Sequence, residues 1–309
     1  MKKLIIVLVL VALAISIKPF AQSINHFISK QLIEIAYLNP QPIVKTIDLP
    51  GRVRLEYAEQ GNADGIPVIF LHGITDSWHS FESVLANLPS SIHAFAISQR
   101  GHGDSARPMQ NYTPKDFAAD IAEFIKQKNL QKVFIAGHSM GGVNAQQFAI
   151  DYPELTKGLV IIDSDPAIKN NPGMPEFYQE VLKLKGAIDR KFMDDFQRAT
   201  LADPIDSAYY NLLVDEGIKV PASVFKAAFE GLMQVDFTEQ LKSINAPALI
   251  FWGNKDVFCT FKGQEILVNN IKNSKLVVYG NTGHALHWEE PKKFAGDLVN
   301  FIDDIIGLK

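Results

Sequence analysis

The sequence predicts an α/β fold, in which a mostly parallel central sheet is covered by helices on both faces. Two observations predict it. Short apolar runs of four or five residues recur along the chain, and most are separated by segments whose apolar residues have helical spacing. Strands that alternate with helices in this way are typical of βαβ units. A chain of 309 residues with 47% hydrophobic side chains can also form one large core.

The predicted elements follow in chain order. In residues 46–57, apolar and polar residues alternate on either side of Pro50 and Gly51, which predicts an early hairpin. The apolar runs that read as buried strands are at residues 68–71, 94–97, 133–136, 159–163, 248–252 and 276–279. Helical spacing is found at residues 80–88, 114–128 and 264–270, and from residue 140 to about residue 152. Strands and helices therefore alternate over most of the chain.

The alternation stops between about residues 165 and 246. This segment has no convincing strand, and its aromatic residues form helical pairs such as Phe177 with Val181 and Phe225 with Phe229. We therefore predict a helical cap inserted at residues 166–246, between core parts at residues 24–165 and 247–309. The aromatic faces of the cap are expected to pack on the core, and some are expected to line a substrate pocket as a lid.

The N-terminal residues 1–23 resemble an export signal. Two lysines precede an apolar run, and small residues follow at Ala21 and Ser23. The run is short for a membrane span, and an uncleaved anchor is the alternative. We expect a periplasmic or secreted protein that contacts a membrane only through this segment.

The composition excludes two further features. A net charge of −4 does not provide the positively charged surface that binds nucleic acid. The single cysteine, Cys259, allows no internal disulfide.

The motif that suggests chemistry is KVFIAGHSMGG at residues 132–142. Glycines two before and two after Ser139 allow a sharp turn from strand into helix and leave the serine at its apex. A serine hydroxyl needs an adjacent base, usually an imidazole oriented by a carboxylate. Strand carboxyl ends meet at one edge of such a sheet, so these partners should follow later strands. Asp256 comes just after the strand at 248–252, and His284 just after the last strand.

Over nearly everything after residue 23 the chain resembles the α/β-hydrolase superfamily. The resemblance implies that Ser139 is the nucleophile, His284 the general base and Asp256 the carboxylate that orients His284. It also implies an oxyanion hole formed by the backbone N–H groups of Ile74 and Met140. The ordered motifs that carry it are HG at 72–73, RGHGDS at 100–105, GHSMGG at 137–142, GNKD at 253–256 and GH at 283–284, with Glu289, Pro291 and Phe294 behind the last.

Each of these assignments has an alternative. In the alternative interpretation, Ser139 forms a strand-to-helix turn that has only a structural role. Asp163 and Asp165 compete with Asp256, and His287 competes with His284, although a polar surface or lid contact in the following helix is the expected place for His287. The chain departs from the common pattern of the superfamily at Ser98-Gln99, before Arg100, where many members have an aspartate, a difference expected to weaken a loop-anchoring pair. The remaining motif histidines are expected to be structural, namely His72, His102 and His138.

The sequence therefore predicts a serine hydrolase that cleaves an apolar carboxylic ester or lactone through an acyl-enzyme. Dehalogenases and epoxide hydrolases of the superfamily carry Asp where this chain has Ser139, which argues against both activities. Carbon–carbon bond hydrolysis and cofactor-free perhydrolysis on the same triad are alternatives, as is a non-catalytic ligand-binding protein of this fold. No metal-ligand spacing and no Gly-x-Gly-x-x-Gly after a strand is present, so we expect neither a metal nor a cofactor.

Overall fold

The computed structural model describes residues 41–307, and a sheet of eight strands is their central element. The export signal predicted at residues 1–23 lies outside the described residues. The strands are β1 (Ile43–Asp48), β2 (Arg54–Gln60), β3 (Ile66–Leu71), β4 (Ile92–Ser98), β5 (Val133–His138), β6 (Thr156–Ile162), β7 (Ala248–Gly253) and β8 (Ser274–Tyr279).

Helices connect most of the later strands. None of those within residues 41–307 is long and apolar enough to cross a membrane. The α-helices are α1 (Glu82–Leu85), α2 (Pro114–Gln127), α3 (Met140–Asp151), α4 (Met174–Lys183), α5 (Arg190–Ala199), α6 (Ser207–Ile218), α7 (Ala222–Gln234), α8 (Phe261–Asn270), α9 (Leu286–Glu289) and α10 (Pro291–Ile306). Short 3₁₀ helices are formed by Trp78–Phe81, Ile168–Asn170 and Gln240–Ser243.

The strand order is β1-β2-β4-β3-β5-β6-β7-β8. The first two pairs, β1 with β2 and β2 with β4, are antiparallel, and all the other pairs are parallel. The hairpin predicted at residues 46–57 is confirmed, because Thr46 is paired with Glu56. The carboxyl ends of β3, β5, β6, β7 and β8 therefore meet at one edge of the sheet, where the sequence motifs also lie.

The sheet is buried on both faces, as the apolar strand sequences require. Successive side chains of β5 belong to different clusters: Ile135 packs with Phe124 on one face, and Phe134 packs with Phe294 on the other. All four are fully buried or nearly so. The mostly parallel α/β fold predicted from the sequence is thus confirmed, with helices on both faces.

Helices α4 to α7 lie between β6 and β7 and are called the inserted helices below. They occupy the segment 166–246, in which the sequence predicts a helical cap. Their aromatic side chains pack on one another and on the core. Phe177 stacks on Phe196 at 5.7 Å between ring centroids, and Phe196 contacts Phe258 at 5.9 Å. Because Phe258 follows β7, this contact connects the inserted helices to the loop that contains Asp256.

Gln99, just before the RGHGDS motif, takes part in three buried hydrogen bonds. Its backbone N–H donates to His72 Nε2 at 2.9 Å, and its side-chain amide donates to the His72 carbonyl at 2.8 Å. Its Oε1 accepts a hydrogen bond from Asn144 Nδ2 at 2.8 Å. The amide thus connects the loops after β3 and β4 to α3, and His72 has the structural place expected for it.

A buried ion pair fixes the loop after β4 to helix α2. The Arg100 guanidinium donates to both carboxylate oxygens of Asp120, at 2.5 and 2.6 Å, and the two side chains are 4% and 2% exposed. Arg52 Nε adds a third bond to Asp120 at 2.5 Å. Such two-pronged pairs are geometrically specific, and removal of one partner leaves an uncompensated buried charge.

We expect Asp120→Ala to lower the free energy of unfolding by about 3 to 5 kcal/mol, because Arg100 then stays buried without its carboxylate. Urea unfolding followed by circular dichroism measures the change. Glu180→Ala is the control, since Glu180 forms an exposed pair with Lys183 and should contribute less than about 1 kcal/mol. Equal losses in the two variants would show that the Arg100 contact does not stabilise the fold.

Candidate active site

Ser139 lies at the turn between β5 and α3, with φ 52° and ψ −116°. A non-glycine residue in this region is strained by about 1 to 3 kcal/mol. The turn is possible because glycines allow close approach: a Cβ at Gly141 would overlap the Leu71 carbonyl, and one at Gly137 would overlap the Gly141 carbonyl. The Ser139 N–H also donates to the Ile162 carbonyl at 3.0 Å, so the strained backbone is held on both sides.

His284 and Asp256 are hydrogen-bonded to each other. His284 Nδ1 lies 2.9 Å from Asp256 Oδ2, and the two side chains are 6% and 0% exposed. Asp256 Oδ1 accepts from the backbone N–H groups of Phe258 and Cys259 at 2.7 and 3.0 Å. Because a carboxylate only accepts hydrogen bonds, His284 carries its proton on Nδ1. The neutral ring then has a free lone pair on Nε2, as a base requires.

Ser139 and His284 line the same cavity, although no hydrogen bond recorded within residues 41–307 joins them. Ile74 and Met140, the predicted oxyanion-hole residues, also line it. Met140 is the first residue of α3, so its N–H has no acceptor within the helix. The structure thus brings all five sequence-predicted site residues to one edge of the sheet.

The rest of the shared cavity is mostly apolar, although Ser164 and Cys259 also line it. It has a volume of about 40 Å³, which is room for about three or four water-sized groups. Among the described residues that line it there is no Lys, Arg, Asp or Glu. Most of the apolar lining comes from the inserted helices and from Phe258: Met174, Phe177, Phe196, Phe229 and Leu232, together with Ile168.

The alternative carboxyl groups have other partners. Asp163 accepts from the Gly253 N–H at 2.8 Å and from the Leu286 N–H at 3.4 Å. Burial, together with the charge of Asp256, raises the pKa of Asp163 well above its usual value. Asp165 accepts from Asn171 and Gln264, and burial raises its pKa to about 6. Neither group has a hydrogen bond to His284 in the described part of the chain.

The expected surface position of His287 is wrong. Its side chain is 0% exposed and stacks on Phe81 with 4.8 Å between ring centroids. His287 Nε2 lies 3.1 Å from Ser80 Oγ, and burial lowers the pKa of the ring to about 3. The residue belongs to the four-residue helix α9, which is too short for a helical pattern in the sequence to show which side is buried.

Sequence reasoning also missed a contact between the loop after β3 and the inserted helices. Gln197 Nε2, on α5, donates to Asp76 Oδ1 at 2.9 Å, and both residues are buried. Asp76 lies three residues after the HG motif, and this nearness to the end of β3 indicates its position at the sheet edge. Gln197 lies in a segment without motifs, and its partner is 121 residues away, so no local pattern indicated it.

Asp256, Cys259 and His284 each bring one potential metal-ligand atom within 4.8 Å of the others. This grouping was not expected from the sequence spacing. Its donors have other partners, since Asp256 and His284 are bonded to each other and Cys259 Sγ donates to the Asp163 carbonyl at 3.3 Å. Burial raises the pKa of the Cys259 thiol well above its usual value, whereas metals bind the thiolate. The three residues fit a hydrogen-bond network better than a metal centre.

Comparison with known proteins gives the family. The family described as alpha/beta hydrolase fold matches residues 66–291. The chain is 35% identical over 272 residues to 2-(acetamidomethylene)succinate hydrolase of Mesorhizobium japonicum, covering 84% of this chain and 95% of that protein. It is 24% identical over 282 residues to lipase 3 of a Moraxella species, covering 85% of each.

Solved structures agree on the fold. An esterase from Exiguobacterium antarcticum superposes with a TM-score of 0.77 at 22% identity, covering 84% of this chain and 100% of the esterase. The match to the family spans both sequence segments that flank the inserted helices. The chain therefore belongs to the α/β hydrolase fold family and is a hydrolase.

Proposed function

We propose that the chain is a serine hydrolase that cleaves carboxylic ester or lactone bonds in small apolar molecules. Ser139 attacks the carbonyl carbon while His284 accepts the hydroxyl proton and passes it to the leaving alcohol. Asp256 keeps the His284 proton on Nδ1. The N–H groups of Ile74 and Met140 stabilise the negative oxygen of the tetrahedral intermediate, an effect of about 3 to 4 kcal/mol per donor. Water then hydrolyses the acyl-enzyme.

One observation carries this proposal: Ser139 and His284 open onto the same apolar cavity, and Asp256 is bonded to the far side of the His284 ring. A neutral apolar acyl group fits this lining. The inserted helices act as the cap, because they supply most of the cavity wall. The fold and the cavity are compatible with a binding protein as well, but a buried imidazole held by a carboxylate beside a strained serine favours catalysis.

The carbon–carbon hydrolase alternative is less well supported. Such substrates, and the succinate in the name of the Mesorhizobium relative, carry carboxylate groups, and a buried carboxylate requires a cationic or hydrogen-bonding partner. The cavity offers no Lys or Arg among its described lining residues. For the same reason we propose a neutral substrate. From residues 1–23 we also propose that the protein is exported, with any membrane contact confined to that segment.

Replacement of the nucleophile tests the mechanism directly. We expect Ser139→Ala to lower turnover of p-nitrophenyl butyrate by on the order of a millionfold and to abolish labelling by a fluorophosphonate. Ser243→Ala is the matched control, because the Ser243 hydroxyl donates only to a nearby backbone carbonyl at the surface. Undiminished labelling of Ser139→Ala would show that another residue reacts.

The size of the cavity predicts a preference for short acyl groups. We expect kcat/KM for acetate and butyrate esters to exceed that for decanoate by on the order of tenfold or more, because a long chain does not fit. Phe177→Ala removes a ring from the cavity wall and should shift the preference towards longer chains. Phe192→Ala is the control, since Phe192 packs on Phe225 and does not line the cavity. The same shift in both variants would contradict the assigned pocket.

The absence of charge in the lining predicts discrimination against anionic acyl groups. We expect p-nitrophenyl succinate, with a free carboxylate, to be hydrolysed with kcat/KM at least about a hundredfold below that of p-nitrophenyl butyrate, since an unpaired charge is costly to bury. Steady-state kinetics with both esters measure the ratio. Similar values would favour the carbon–carbon and succinate-type hydrolases as models for this chain.

A further inference from the structure

A second, smaller cavity meets Ser139 and His284 from the side of the loop after β3. Its wall includes polar groups of Asp76, His138 and Gln197, in contrast to the apolar acyl cavity. It has a volume of about 10 Å³, which is room for about one water molecule. The proposed mechanism uses neither Asp76 nor His138.

The hydrogen bond of His138 determines where its proton lies. His138 Nε2 is 2.8 Å from the His284 carbonyl oxygen, which only accepts, so Nε2 carries a hydrogen. Burial, reinforced by the neighbouring histidines, lowers the pKa of His138 well below its usual value, and the ring is neutral. Its Nδ1 is therefore a bare acceptor. This buried atom has no hydrogen-bond partner among residues 41–307.

The atom that faces His138 Nδ1 is also an acceptor. Asp76 Oδ2 lies 3.9 Å away, too far for a direct hydrogen bond. Asp76 Oδ1 accepts from Gln197 Nε2, and Ser80 Oγ lies 3.4 Å from Oδ2. Burial raises the pKa of Asp76 to about 7, although the Gln197 bond and the charge of His284 oppose the change. Above that pKa Asp76 is a carboxylate and accepts through both oxygens. Two acceptors at this separation suit a molecule that donates two hydrogens, and water is the smallest such molecule.

We propose that this cavity holds the water molecule that hydrolyses the acyl-enzyme, and that Asp76 and His138 position it as hydrogen-bond acceptors. The inference rests on the proposed function, which supplies the acyl group on Ser139. The cavity borders both Ser139 and His284, so a water held there lies beside the residues that the proposed function makes nucleophile and base. The apolar acyl cavity offers no comparable polar place for it.

The step balances without a further reactant. The water turns one hydrogen from His138 Nδ1 to His284 Nε2 while Asp76 keeps the other. Its oxygen then bonds to the acyl carbon as His284 Nε2 takes that proton, which gives a tetrahedral intermediate. The bond from that carbon to Ser139 Oγ then breaks, and Ser139 Oγ receives the proton from His284. The carboxylic acid leaves, and serine and neutral histidine are restored. Asp76 and His138 are positioning residues, since they hold the water without taking its proton.

A crystal structure of the wild-type protein, at a resolution that shows ordered water, tests the site without any substrate. We expect density for one water within about 3 Å of both His138 Nδ1 and Asp76 Oδ2. If no ordered water lies there, the proposal is wrong, whatever the protein hydrolyses.

The acyl-enzyme can transfer its acyl group to water or to an added alcohol, and the ratio of the two products tests the role of this water. In Asp76→Asn we expect hydrolysis of the butyryl-enzyme to slow by on the order of tenfold, while acylation is unchanged and a burst of p-nitrophenol appears. Added methanol should then capture a larger share of the acyl group. Asp165→Asn is the control, because Asp165 is another buried carboxyl group with a raised pKa that does not line this cavity. An equal loss of acylation and deacylation would show that Asp76 only holds the loop.

Gly73→Ala provides a second variant in case Asp76→Asn does not fold. A Cβ at Gly73 would lie 2.9 Å from His138 Nδ1 and 3.0 Å from Asp76 Oδ2, so the added methyl group crowds both acceptor atoms and leaves less room for the water. The same shift towards methanol is expected, and an unchanged ratio would contradict the water site. Failure of the proposed function looks different: the wild type itself then forms no acyl-enzyme from any ester.

Discussion

The close approach of helix α3 to the end of β3 is the constraint on which this edge of the sheet depends. No side chain fits at Gly137 or Gly141, where the neighbouring backbone occupies the space of a Cβ. Strand, turn and helix are therefore packed backbone to backbone, and Ser139 takes a strained φ of 52°. Because that strain is held by packing on both sides, the serine has one position, and the loops after β3, β7 and β8 converge on it.

Much of this could be predicted from the sequence, because the strands are short apolar runs and the motifs follow them directly. The five candidate site residues are local to strand ends, and their meeting follows from a parallel sheet. The contact of Asp76 with Gln197 could not be predicted, since it joins residues far apart in sequence and depends on how α5 packs. The burial of His287 could not be predicted for a different reason. Helix α9 has four residues, which are too few to show a helical repeat of apolar residues and so to indicate the buried side.

Asp163 and Asp256 lie at the same edge of the sheet, and they differ more in their hydrogen bonds than in their positions. Asp163 and Asp256 are both close to the end of β7, but only Asp256 contacts the His284 ring. Burial and the neighbouring charge favour the neutral form of Asp163, because two like charges at short range in an apolar setting are unfavourable. Asp256 is therefore the carboxyl group that is hydrogen-bonded to the imidazole, whereas Asp163 accepts from backbone N–H groups of the neighbouring loops.

The residues proposed to react and the residues that form the cavity wall come from different segments of the chain. The reacting groups and their supports follow strands of the sheet, whereas the wall of the apolar cavity comes mostly from α4, α5 and α7. Apart from Gln197, which is bonded to Asp76, mutations in these helices can alter which molecules fit without touching the residues proposed to react. Divergence among descendants of such a gene, or a laboratory library aimed at new substrates, can therefore be concentrated in one continuous segment of the chain.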